Sequence, residues 1–292
     1  MSERTPSEPL RITYAGDGVT LVADAYGDPA ATPILFLHGG GQTRYAWARS
    51  AKALASRGYY AVALDLRGHG ESDWSPDGRY DGARFTADGA AVAATFARRP
   101  IVVGASLGGM IAMMVEGHTR PGSFAAVVLV DVAHEMRNAG VARVIAFMES
   151  GADGFGSLEE ASDAVASYLD NRKRPSSLEG LKKNLRLRDD GRWYWHWDPR
   201  MLDNTDVEEV RRDGRFVEAA RNIRVPVLLV RGAQSDVVDE TIARELLELI
   251  PHARYVDVAG AAHMVAGDEN DAFTDAVVAF CDELTASKTS ER

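Results

Sequence analysis

The chain has 292 residues, a formal net charge of −10 and one cysteine, Cys281. A surface of this charge repels a phosphate backbone, which argues against nucleic acid as a partner. A lone cysteine can form neither an internal disulfide nor a cysteine-based metal site. The length fits one large domain or two modest ones.

No segment of the sequence has the pattern of a membrane anchor or a leader. Residues 1–9 are polar and lack the apolar centre of a signal peptide. No run approaches the ~20 consecutive apolar residues that a membrane-spanning helix needs. We therefore expect a cytoplasmic protein without a membrane partner.

Short apolar runs alternate with longer helical patterns along most of the chain. In order, the predicted strands are residues 19–26, 34–37, 61–64, 101–103, 126–130, 225–230 and 255–258. The predicted helices are residues 45–56, 87–97, 107–115, 241–249 and 273–284. Continuously apolar strands are typical of a parallel sheet that is buried on both faces. The alternation therefore predicts an α/β fold with helices on both sides of the sheet.

One interval, residues 133–224, interrupts this alternation. It contains helical patterns, charges and an aromatic cluster at 193–197, but no continuously apolar strand. An insertion explains this better than a second independent domain. We therefore predict a core domain formed by residues 1–132 and 225–292, with a helical cap at 133–224.

The strongest motif is Gly-Ala-Ser-Leu-Gly at residues 104–108, which lies between a predicted strand and a predicted helix. In this context Gly-x-Ser-x-Gly indicates a nucleophile elbow, a sharp turn that exposes the serine hydroxyl at the edge of the sheet. The glycines remove side chains that would otherwise collide in the turn. Ser106 is therefore the predicted nucleophile.

A serine nucleophile needs an oxyanion hole, which this sequence can supply from two segments. The first donor is the backbone N–H of Leu107, directly after the nucleophile. The second comes from the glycine run that follows the strand 34–37, with Gly40 as the preferred donor and Gly41 as the alternative. His38 precedes these glycines, and a buried histidine that orients the loop is the better interpretation of it.

The candidate base is His263, which follows the last predicted strand and so lies at the same sheet edge as Ser106. Two aspartates could orient it. Asp236 follows the strand 225–230 and is preferred, whereas Asp131 ends the strand 126–130 and is the alternative acid. Both lie between the serine and the histidine in sequence, so chain order does not decide between them.

Two features could shape a substrate pocket. The cap tryptophans Trp193, Trp195 and Trp197 could form an apolar wall, although packing within the cap explains them equally well. Arg44 lies just beyond the glycine run, where it could bind a substrate carboxylate.

Together these motifs resemble the α/β-hydrolase superfamily, in its capped esterase, lipase and cofactor-free peroxidase-like branch. The resemblance covers residues 10 to 285 and adds the loop 65–72 to the motifs already described. It implies an eight-stranded, mostly parallel sheet flanked by helices, with an early antiparallel pair and a helical cap after the sixth strand. Some relatives take their acid from the end of that strand, which is Asp131 here. Relatives that open epoxides or displace halides carry an aspartate at the elbow, so Ser106 argues against those reactions.

These observations predict a serine hydrolase that cleaves a carboxylic ester, thioester, lactone or amide through an acyl-enzyme, without a metal or organic cofactor. Its expected partner is a small-molecule acyl substrate, and the expected state is a monomer or homodimer. The alternatives are carbon–carbon bond hydrolysis or perhydrolysis on the same triad. A non-catalytic receptor on a hydrolase scaffold is a third hypothesis.

Overall fold

A computed structural model of the protein describes residues 8–168, 178–203, 214–261 and 271–290. The strands of its main sheet are β1 (Leu10–Ala15), β2 (Thr20–Tyr26), β3 (Thr32–Leu37), β4 (Tyr59–Leu64), β5 (Ile101–Ala105), β6 (Ala126–Val130), β9 (Val227–Gly232) and β10 (Arg254–Val258). A separate hairpin consists of β7 (Leu185–Leu187) and β8 (Trp193–Trp195).

The eight strands are ordered β1-β2-β4-β3-β5-β6-β9-β10. Strand β2 pairs antiparallel with β1 and β4, and all other neighbours pair in parallel. This confirms the predicted eight-stranded, mostly parallel sheet. Because parallel neighbours place their carboxyl ends at one edge, the loops after β3, β5, β6 and β9 meet there.

Helices cover both faces of this sheet. The α-helices of the described residues, including those of the segment between β6 and β9, are α1 (Ala48–Ala55), α2 (Gly82–Ala93), α3 (Leu107–Met114), α4 (Asn138–Glu149), α5 (Leu158–Tyr168), α6 (Glu179–Lys182), α7 (Arg215–Asn222), α8 (Glu240–Leu249) and α9 (Asp271–Ser290). Successive residues of β3 show the two-sided burial, since Leu35 and Leu37 lie in one apolar core while Ile34 and Phe36 lie in the other. Cys281 is fully buried in the second core, as a small apolar residue would be.

The segment between β6 and β9 holds α4 to α7 together with the β7–β8 hairpin. The sequence predicted only helices here, so the hairpin is a correction. Its strands have three residues each, too short to produce a recognisable alternation. Asp198, just after the hairpin, accepts a hydrogen bond of 2.5 Å from the hydroxyl of Tyr80. This bond links the segment between β6 and β9 to the part of the chain that precedes α2. Within the described ranges, no helix is both long and apolar enough to cross a bilayer.

Candidate active site

Ser106 lies at the turn between β5 and α3 with φ 45° and ψ −114°. A positive φ is unusual for a residue with a side chain, and such strain is held in place only by its surroundings. The Ser106 N–H donates to the carbonyl of Val130 at 3.2 Å, and the Gly108 N–H donates to the carbonyl of His38 at 3.1 Å. These bonds fix the elbow against both neighbouring strands.

The glycines of the elbow are required by close approach of the backbone. A Cβ atom on Gly108 would lie 2.2 Å from the carbonyl oxygen of Leu37, and one on Gly104 would lie 2.4 Å from the carbonyl oxygen of Gly108. Because these obstacles are backbone atoms, no side-chain rotation can relieve the overlap.

Gly108→Ala is therefore expected to lower the free energy of unfolding by about 3 kcal/mol, the upper range for overpacking a core. The matched control is Gly180→Ala in α6, where no atom lies within 4 Å of the added Cβ. There the helix propensity of alanine should stabilise the fold by up to ~1 kcal/mol. Urea denaturation of both variants measures the difference, and equal stabilities would contradict the steric argument.

The glycine run after β3 offers one uncommitted amide beside Ser106. The Gly39 N–H donates to the Gln42 side-chain oxygen at 3.0 Å, and the Gly41 N–H donates to His69 Nε2 at 3.1 Å. No acceptor within the described ranges pairs with the N–H of Gly40 or Leu107. Gly40, Leu107 and Ser106 line the same cavity, so the preferred pair of oxyanion donors is brought together and the alternative donor, Gly41, is engaged elsewhere.

Three buried histidines lie against this loop from three segments. The ring centroids of His38 and His69 are 4.9 Å apart, and those of His69 and His196 are 5.9 Å apart. One nitrogen of each ring faces a backbone N–H: His38 Nε2 that of Leu66, His69 Nε2 that of Gly41 and His196 Nδ1 that of Gly70. A ring nitrogen that accepts a hydrogen bond carries no proton, so all three imidazoles are neutral.

Burial reinforces this neutral state. Desolvation lowers the pKa of His38 to about 4 and that of His69 to about 3, and it holds the pKa of His196 well below its usual value. The rings therefore position the loop, as predicted for His38, and His69 and His196 add to that role. Sequence reasoning did not single out the latter two because their contacts join distant segments.

The two candidate acids have different surroundings. Asp131, at the end of β6, is fully buried with a φ of 50°. Its carboxylate accepts hydrogen bonds from the Gly232 N–H at 3.1 Å and from the Ser235 hydroxyl at 2.6 Å. Asp236 has a side chain that is 38% exposed and forms an ion pair of 3.0 Å with Arg143. His263, the predicted base, lies outside the described residues.

A cavity of about 610 Å³ opens above Ser106. Its walls are mainly aliphatic and thioether side chains from α3, α4 and α7, including Met110, Met114, Val144, Met148 and Phe216. This volume lies within the ~300–1,000 Å³ range of small-molecule sites. Ser106, the predicted nucleophile, therefore lies in the wall of a mainly apolar cavity.

Comparison with known proteins agrees with this architecture. The sequence model of the alpha/beta hydrolase family matches residues 34–276. The chain belongs to the α/β-hydrolase family. It is an enzyme of esterase type, in keeping with relatives named as an esterase and a lipase.

The first of these relatives is an esterase of Mycobacterium tuberculosis, 30% identical over 85% of this chain and 82% of its own length. The second is an sn-1-specific diacylglycerol lipase of Mus musculus, 26% identical over 87% of this chain and 82% of its own length. Among solved structures, an E-2-(acetamidomethylene)succinate hydrolase matches with a TM-score of 0.80 and 24% identity, covering 94% of this chain and all of its own.

The predicted pocket residues of this α/β-hydrolase lie elsewhere. Trp195 and Trp197 are buried and stack on each other with centroids 5.0 Å apart, and Trp193 lies in β8 beside them. Among the described lining residues of the cavity, none is a tryptophan. Trp195 and Trp197 pack on Phe147 of α4, and Trp197 also lies beside Gly41 of the glycine run, so they do not form the predicted wall of the cavity.

Arg44 is also not a substrate ligand in this α/β-hydrolase. Its side chain is fully buried, with one guanidinium nitrogen paired to Asp65 and Nε 3.0 Å from Asp24. Its backbone N–H also donates to Asp65 at 2.6 Å. These two carboxylates and that of Glu71, at 3.3 Å, hold the guanidinium outside the cavity lining.

Proposed function

We propose that the protein is a serine hydrolase that cleaves neutral carboxylic esters through an acyl-enzyme on Ser106. The observation that carries the proposal is the strained Ser106, which lines an apolar cavity together with Gly40 and Leu107. Such an arrangement supplies a nucleophile and donors for the charge that develops on the carbonyl oxygen. The names of the esterase and lipase relatives point to the same bond type.

In the proposed reaction His263 removes the proton of the Ser106 hydroxyl as its oxygen bonds to the ester carbon. The carbonyl electrons move onto oxygen, where the Gly40 and Leu107 amides donate to the oxyanion. His263 then gives its proton to the departing alcohol as the carbon–oxygen bond breaks. Water repeats the sequence on the acyl-enzyme and releases the carboxylic acid.

We propose Asp131, the alternative acid of the sequence analysis, as the residue that orients His263. A carboxylate in this role must be fixed and shielded, and Asp131 is buried and held by Gly232 and Ser235. Asp131 also follows β6, the strand adjacent to the one that leads to Ser106. Asp236 is partly exposed and its carboxylate faces Arg143, so it is better suited to a surface ion pair.

Replacement of Ser106 by Ala tests the proposed function. Hydrolysis of p-nitrophenyl acetate should fall to the background rate, since no acyl-enzyme can form. The wild type should gain one fluorophosphonate adduct by intact-mass spectrometry and the variant none. Circular dichroism checks that both proteins are folded, and ester turnover by a folded Ser106→Ala variant would refute the proposal.

A further inference from the structure

One face of α3 forms a continuous apolar track that begins at the nucleophile. Leu107, Met110 and Met114 are spaced three and four residues apart, so their side chains align along the helix. All three are only partly buried, and each lines the same cavity as Ser106. The cavity lining continues to His118, beyond the end of the helix.

The track has a definite length and two side walls. His118 lies twelve positions after Ser106, a distance of up to ~18 Å at the α-helical rise, which matches an extended chain of roughly 12–14 carbons at ~1.3 Å per carbon. Phe85 of α2 contributes to one side and Phe216 of α7 to the other. The lining is therefore elongated along α3, and it fits an extended chain better than a compact ring system.

The described lining offers no unpaired charge for an anionic substrate. Arg79 and Asp81 pair with each other at 2.9 Å, and Arg215 has a partner of its own. Arg44, the cation nearest to the glycine run in sequence, is buried between Asp65 and Asp24. A substrate with a carboxylate beside the scissile bond would thus leave that charge desolvated and unpaired, which is costly.

Topology assigns the track to the acyl side of the ester. Helix α3 connects the parallel strands β5 and β6, so it leads away from the strand ends at which Ser106 lies. His263 follows β10 and is predicted at those strand ends, where it must meet the leaving oxygen. The part of the ester that lies along α3 therefore points away from the predicted base. It is the acyl group, which stays attached to Ser106 in the acyl-enzyme.

We propose that this groove, defined by Leu107, Met110, Met114, Phe85 and Phe216, binds the neutral linear acyl chain of a medium- to long-chain fatty ester. This inference rests on the proposed serine hydrolase function and specifies its substrate class. The number of methylene groups that the groove can bury along α3 determines which acyl chain lengths are preferred. The groove holds the chain while Ser106 carries out acyl transfer.

The test measures kcat/KM for p-nitrophenyl esters with acyl chains from two to sixteen carbons. Each added CH2 group should raise kcat/KM about fourfold until the groove is filled near twelve carbons, because burying one methylene contributes ~0.8 kcal/mol. Met114→Trp should move the plateau to roughly eight carbons, since Met114 lies ~12 Å along the helix from Ser106. The loss of kcat/KM should therefore grow with acyl chain length and be greatest for the longest esters.

Two further variants and a second ester series complete the experiment. Leu187→Trp, at an exposed leucine outside the lining, should leave the whole profile unchanged. If Met114→Trp is unfolded, Met114→Ala should instead widen the groove and raise kcat/KM for the longest chains. The inference would be overturned if kcat/KM did not change with acyl chain length. It would also be overturned if, in a series of acetate esters, kcat/KM rose with the length of the alcohol instead. Ser106-dependent hydrolysis of the acetate ester separates these outcomes from failure of the proposed function.

Discussion

Asp131→Asn is expected to lower kcat/KM for an activated ester by about 10⁴-fold, while Asp236→Asn should change it by less than about tenfold. Asparagine matches the shape of the carboxylate but cannot carry the charge that stabilises an imidazolium. At Asp131 it would also present an amide to the histidine and favour the wrong tautomer. At Asp236 the substitution would break only the ion pair with Arg143, which is partly exposed.

The Asp131→Asn variant needs a control for folding, because Asp131 also accepts hydrogen bonds from Gly232 and Ser235. Ser235→Ala removes one of these donors while leaving the carboxylate in place. It should reduce kcat/KM far less than Asp131→Asn does. Urea midpoints show whether each variant is folded at the assay temperature. A 10⁴-fold loss on Asp236→Asn, with Asp131→Asn near wild type, would reverse the assignment of the acid.

The sheet was predictable because its central strands are buried on both faces. A short, continuously apolar run such as Ile34-Leu35-Phe36-Leu37 is typical of a strand in the middle of a parallel sheet. Strand β1 is different, since it is an edge strand whose residues are exposed or half-buried in alternation. Its residues at 10–15 alternate between apolar and polar rather than forming a continuously apolar run, so they are absent from the predicted strands and only the family resemblance implied the antiparallel pair.

The candidate site was predictable in its motifs but not in its side-chain contacts. The elbow and the glycine run are local, and backbone geometry dictates both. The acid is not local: Asp131 and Asp236 each come after neighbouring strands, and they differ in burial and in side-chain partners that other segments contribute. A serine directly before Asp236 is visible in the sequence, but its bond to a residue 104 positions away is not.

The predicted pocket residues also depended on contacts between distant segments, which the sequence does not show. Residue type and sequence position made Trp195 and Arg44 candidate pocket residues, whereas their burial depends on partners contributed by remote segments. Helix α3 carried a usable signal instead, because Leu107, Met110 and Met114 recur at helical spacing directly after the nucleophile. An apolar face that begins at a catalytic serine can thus indicate a substrate groove as well as a core.

The stability of the protein should fall steeply below pH 6.5 because of His38, His69 and His196. In the unfolded chain each of them binds a proton near pH 6.5, but burial lowers the folded-state pKa of His38 to about 4 and that of His69 to about 3. The pKa of His196 shifts in the same direction. Between pH 6.5 and 4 the unfolded state therefore binds more protons than the folded state, and acid favours unfolding.

The expected loss is large compared with the total stability of a domain. At pH 5 His38 and His69 should each cost about 2 kcal/mol, so the two together remove about 4 kcal/mol of the ~5–15 kcal/mol that is typical, and His196 adds to this loss. Urea unfolding between pH 8 and pH 4.5 measures this slope. His69→Gln keeps an acceptor for the Gly41 N–H but cannot titrate, and it should flatten the slope by about one proton, ~1.4 kcal/mol per pH unit.

The matched control is His252→Gln, which removes an exposed histidine and should leave the slope unchanged. A wild-type slope that stays flat from pH 6.5 to 5 would show that the three rings are protonated in the folded state. That state is incompatible with the bonds that Leu66, Gly41 and Gly70 donate to them, so the glycine run would then lack its support. The pH dependence of stability thus tests whether neutral histidines hold the oxyanion loop in place.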